Sequence, residues 1–219
     1  TVVVFSQLWG ESARPVSGGE FSVGDVSWDS STKITVLDVA DRAAPVVTRE
    51  IYAQGDLRAS RRVGDRVHVV LTDYLYDRWE PEGSYDNYLY AQRQALKEVG
   101  AGEWIPNLSD HRRAGAGWTV TQGDSTRCTD VYKPATRAEL QFTTVLSFSA
   151  SDVDSPLQSV GVLARADTVY ATADSLYFGM SEYESGPFPS SDGSLDSHLH
   201  KFLLTDDGPV YTASGKAPG

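Results

Sequence analysis

The 219-residue chain is 40% apolar and 22% charged, with 19 Gly and 10 Pro. That is the composition of an ordinary globular protein able to bury a sizeable core, read as one domain over 1–219. A formal net charge of −11 repels phosphate backbones, so nucleic acid is excluded as a partner. No stretch approaches the ~20 apolar residues that cross a bilayer, so no transmembrane segment is expected.

Thr1-Val-Val-Val-Phe5 opens the chain as a strand, without a signal peptide. Thr32 to Val39 alternates apolar and polar residues, as does Arg66 to Leu71, and both are predicted strands. Arg49, Arg58, Arg61, Arg62 and Arg66 cluster in between and read as a solvated strand face. Residues 74–118 form a long insertion. Its centre, Asp86 to Val99, is predicted to be helical, capped by Asp86, stopped by Gly100 and buried through Leu89, Leu96 and Val99. Cys128, the only cysteine, cannot form an internal disulfide and is expected to be a small buried, unreactive thiol. Further strands are predicted at Thr143–Phe148, Thr168–Ala171, Ser175–Phe178, His198–Phe202 and Pro209–Ser214, with an exposed loop over Glu184–Asp196.

Short strands about ten residues apart fit a sandwich, a barrel or a propeller. Internal repetition decides. Residues 32–73 run strand, Asp-rich turn, Pro45, strand, Gly-Asp turn, strand, and residues 142–181 repeat that order through Pro156. A third copy starts at His198 and passes Asp206-Asp207-Gly208-Pro209. A unit of ~40–45 residues is the period of a propeller blade. The fold class is therefore all-β, a partial β-propeller of about four blades or part-blades with one helical insertion. Trp28-Asp29 is negligible evidence for a Trp-Asp repeat.

Signals for chemistry are weak. Ser30-Ser-Thr-Lys33 spells a nucleophile motif, but it leads into a strand, where the lysine is not one helical turn from the serine. Neither a Gly-x-Ser-x-Gly elbow nor a phosphate-binding glycine pattern occurs. His198 and His200 share a strand face but lack a third ligand nearby. Asp152, Asp154, Asp206 and Asp207 supply hard oxygens of the kind calcium takes. Yet Pro156 interrupts the ligand spacing, and aspartate also favours turns for local reasons. No catalytic residue is assigned. Loops on a rigid scaffold carry recognition, which makes Tyr85, Trp104, Asp110, His111, Phe188 and Asp192 candidate binding residues.

The chain resembles the secreted β-propeller domain of bacteria and archaea, distantly related to Trp-Asp repeats. The stretches that carry the likeness are Thr32-Lys-Ile-Thr-Val-Leu-Asp-Val with Pro45, Ser60-Arg-Arg-Val-Gly-Asp-Arg-Val and Trp104-Ile-Pro. Others are Cys128-Thr-Asp-Val-Tyr-Lys-Pro134, Ala166-Asp-Thr-Val-Tyr-Ala and Val210-Tyr-Thr-Ala-Ser-Gly-Lys-Ala-Pro-Gly219. The resemblance implies a secreted, periplasmic or cell-surface location and transfers no catalytic residue. The expected function is a binding or scaffold module for a protein or polysaccharide. A hydrolase or lyase with its site in the propeller channel is the alternative. Thr1–Phe5 reads as an internal strand, and Gly219 falls where another strand should begin. Completion by further propeller segments is therefore expected, from the same polypeptide, a second fragment or another copy.

Overall fold

The computed structural model describes residues 1–9, 30–75, 97, 100–135, 140–181 and 196–218. The strands among them are β1 (Val2–Leu8), β2 (Ser31–Asp38), β3 (Val46–Gln54), β4 (Asp56–Val63) and β5 (Arg66–Tyr74). β6 (Asn107–Ala114), β7 (Gly117–Asp124), β8 (Val131–Tyr132), β9 (Gln141–Ser149) and β10 (Gln158–Val162) follow. The last four are β11 (Thr168–Ala171), β12 (Ser175–Ser181), β13 (Asp196–Thr205) and β14 (Gly208–Pro218). They form three sheets, ordered β1-β2-β3-β6-β7, β4-β5-β9-β10-β8 and β11-β12-β13-β14.

The sequence repeat runs out of phase with these sheets. Its first copy gives the β2–β3 hairpin to the first sheet and the β4–β5 hairpin to the second. Its second copy gives β9–β10 to the second sheet and β11–β12 to the third, which β13–β14 completes. Each copy thus stitches two neighbouring sheets together. At the first crossing only Gly55 separates β3 from β4. Its φ of +112° is closed to most side chains, and a Cβ there would lie 3.1 Å from the Thr72 carbonyl.

Alternation along the strands explains the packing. Ile34, Val36 and Ile51 of the first sheet meet Val67, Val69, Leu71, Leu146 and Phe148 of the second in one buried cluster. The opposite face of the second sheet, with Val70, Val145, Val160 and Val162, packs on Leu176, Phe178, Met180 and Phe202 of the third. The second sheet is the filling, so β5 and β9 are buried almost end to end. Each large apolar side chain so buried contributes roughly 1.5–3 kcal/mol.

Two expectations meet the structure differently. Arg49 does not belong to a solvated face: it is fully buried, because its guanidinium forms an ion pair with Asp110. Arg61 and Arg62 are exposed as expected. Cys128 is exposed rather than buried, since it sits on a 3₁₀ turn, Cys128–Asp130, that stands off the core. The C-terminal part of the 74–118 insertion is strand: β6 and β7 form a hairpin that returns to pair with β3. The expected helix at Asp86–Val99 lies outside the described residues except for Lys97, which is helical.

Candidate binding cleft

The three sheets converge on a cleft of about 810 Å³. Asp124 at the end of β7 comes from the first sheet, Gln158, Ser159 and Val160 of β10 from the second, and Asp207, Val210 and Tyr211 from the third. The 3₁₀ turn after β7 forms a further wall. Ser125 N–H donates to the Pro106 carbonyl at 2.7 Å, and Ser125 Oγ lies 3.2 Å from Thr144 Oγ1, so the segment leaving the hairpin is anchored on β9. The turn then closes with Asp130 N–H donating to the Arg127 carbonyl at 2.9 Å. Arg127 folds back over it, Nε and Nη2 each 2.7 Å from Asp130 Oδ2.

From that turn the chain enters β8, which runs parallel to β10 and pairs with Gly161 and Val162 alone. β10 is laddered to β9 along its whole length, Gln158 to Val162. On the cleft side Gln158, Ser159 and Val160 therefore have no ladder partner among the described residues. Arg66 Nη2 donates to Gln158 Oε1 and steadies that end of the strand. Gly208, at φ +113°, lets the β13–β14 turn approach it, since a Cβ there would lie 2.7 Å from Gln158 Cβ.

Tyr132 and Tyr211 supply the aromatic surface, ring centroids 4.9 Å apart and tilted by 40°. The Tyr211 hydroxyl lies 3.1 Å from His200 Nδ1, in an aromatic cluster with Phe178 and Phe202. Burial pushes the His200 imidazole down to about 4, and His198 beside it adds like-charge repulsion. Thr126 lines the cleft, is 4% exposed, and its hydroxyl has no hydrogen-bond partner among the described residues.

Among the residues singled out from sequence, Asp207 reaches this cleft. Asp110 and His111 lie on β6. Asp110 is buried between Arg49 and Arg112, while the His111 ring lies against Tyr52 at 5.2 Å, tilted by 59°, with Nε2 2.8 Å from Ser109 Oγ. Burial lowers the His111 imidazole. Trp104 packs against Leu75, Ile105 and Phe142. Asp152 Oδ1 accepts the Asp154 amide at 3.1 Å, a local turn contact, and the Asp154 carbonyl accepts Arg112 Nη1 at 2.9 Å. Asp206 sits with Asp207 in the β13–β14 turn. Tyr85, Phe188 and Asp192 lie outside the described residues. Among the described residues, no three His, Cys, Asp or Glu side chains group closely enough to hold a metal ion. Arg127, Asp130, Tyr132 and Tyr211 were not singled out as site residues. For the first three the signal available was that residues 124–135 fit no copy of the repeat; Tyr211 lies in the third copy.

Largely antiparallel sheets packed in series and stitched by a repeat define a blade-built all-β protein. The chain matches the beta propeller domain family over residues 1–219 and belongs to it. Neither the curated proteins nor the solved structures give a significant match.

Proposed function

We propose that this chain is a binding or scaffold module of an exported β-propeller that holds a macromolecular partner in the cleft between its three sheets. The observation that carries the reading is the cleft itself. It is concave and framed by rigid strands, and it combines tyrosine rings with carboxylates, amide and hydroxyl groups, the mix from which recognition sites are built. The exported location rests on the family resemblance. Among the described residues, no helix is long and apolar enough to cross a membrane.

The test compares the 219-residue chain with Asp207→Lys and Tyr132→Ala variants against arrayed polysaccharides and fractionated secreted proteins. A partner retained by the parent chain and lost by both variants supports the reading. Equal retention by all three, or by none, overturns it. Fractionating producing cells with an antibody to the chain tests the location, and signal confined to the cytoplasm overturns export.

A further inference from the structure

We infer that the partner enters the cleft as an extended, positively charged peptide segment that adds as a strand along the edge of β10 that the described residues leave without a ladder partner. This rests on the cleft being the binding site and specifies what occupies it. Leu163 N–H donates to the Tyr132 carbonyl, so alternate residues of β10 face β8. The next one back, Ser159, faces the cleft, beyond the Cys128–Asp130 turn and without a ladder partner there among the described residues. The Ser159 N–H and C=O, directed away from β9, seek partners, and an added strand supplies both.

Charge selects the sign of that strand. Asp124, Asp130 and Asp207 line the cleft with Arg127, and the Arg127 guanidinium is bound to Asp130. Arg66 holds Gln158 at one end of the edge, and the three carboxylates outnumber the two guanidiniums, in a chain of net charge −11. That surplus attracts lysine or arginine and repels acidic segments and anionic glycans. Tyr132, 38% exposed beside Tyr211, offers a ring face on which a guanidinium or ammonium group stacks. A neutral glycan would use the rings and carboxylates but has no repeating amide pattern to match a strand edge. The peptide meets edge, charge and ring together.

The experiment titrates the 219-residue chain with a fluorescent Arg-Val-Arg-Val-Arg-Val peptide. Beside it run a Glu-for-Arg counterpart, an alternately N-methylated counterpart, and neutral cello- and chito-hexaose. The parent peptide is expected to bind, more weakly as salt rises. N-methylation should cost roughly tenfold or more in affinity, as for one or two lost backbone hydrogen bonds. The Glu peptide should not bind, and Asp124→Asn with Asp207→Asn should weaken binding by about tenfold at unchanged Tm. Equal binding of the N-methylated peptide overturns strand addition, and equal binding of the Glu peptide overturns charge selection. If a hexasaccharide binds in a Tyr132-dependent way while no peptide does, the peptide inference falls and the binding cleft stands. If no probe binds and no partner is lost by the cleft variants of the preceding test, both fall.

Discussion

Arg49 on β3 and Asp110 on β6 form a fully buried bidentate ion pair, with Nε to Oδ1 and Nη2 to Oδ2 both at 2.8 Å. Arg49 also lies over the Phe148 ring of the second sheet at 5.6 Å, and Arg112 joins Asp110 to the loop carbonyl of Asp154. The pair thus ties the returning hairpin to β3 and both to the second sheet. Removing one partner leaves a buried charge alone, so Asp110→Ala is expected to cost about 3–5 kcal/mol. The joint replacement Arg49→Met with Asp110→Leu should recover most of that loss. Urea unfolding of the three proteins checks this, and a joint variant as unstable as the single one contradicts it.

Gly161 gives a second, independent stability test. A Cβ at that position would stand 2.6 Å from Phe142 Cε1 and 3.0 Å from Thr126 Cγ2, and Phe142 is fully buried. Gly161→Ala should destabilise by about 1–3 kcal/mol through overpacking. With Phe142→Leu in the same chain, the added methyl should be tolerated better than in the parent. Additive losses in that cycle would show that the ring is not the obstacle.

The strands were legible because burial imposes alternation on them, as in Thr32 to Val39. The repeat was legible because each copy carries the same Pro and Gly-Asp punctuation. The phase of the repeat against the sheets was not, since nothing local in Gln54-Gly55-Asp56 says that the chain changes sheet there. Arg49 looked like its neighbours Arg61 and Arg62 because its partner is Asp110, far along the chain. For the cleft, Asp207 was visible as a turn residue. Tyr132 and Tyr211 belong to different sheets, and their meeting is a product of tertiary packing.

Acid should weaken the fold. Burial holds the imidazoles of His200, His68 and His111 below their ordinary value of 6.5, His200 at about 4. Between those values the unfolded chain binds protons that the native state refuses, so stability falls as pH drops from about 6.5 to about 4 and the His200 contribution levels off below that. At about 1.4 kcal/mol per pH unit, His200 alone accounts for a loss of about 3 kcal/mol. His200→Phe keeps a ring among Phe178, Phe202 and Tyr211 and removes the titration. Urea midpoints at pH 7, 5.5 and 4.5 should therefore fall less steeply for this variant than for the parent. Parallel slopes would assign the acid sensitivity elsewhere.

The third sheet makes the last prediction. Along β13, His198, His200 and Phe202 point into the core while Leu199 and Leu203 point out, 44% and 40% exposed. Leu203 is opposite Val210 on β14, and Tyr177 is opposite both Lys201 on β13 and Tyr170 on β11. Tyr170 and Val210 are likewise exposed, and a hollow of about 200 Å³ opens beside Tyr170, Gly179 and Leu199. The equivalent decision has been made twice already in this molecule: each sheet face that meets a neighbour is apolar and covered. An apolar face of this kind left open to water drives association. The purified chain is therefore expected to self-associate with rising concentration. Leu199→Lys with Leu203→Lys should shift it toward monomer while leaving the far-ultraviolet circular dichroism unchanged. Sedimentation velocity over a hundredfold concentration range reads this out. A parent chain that stays monomeric throughout would contradict the prediction, as would a double variant that associates as strongly as the parent.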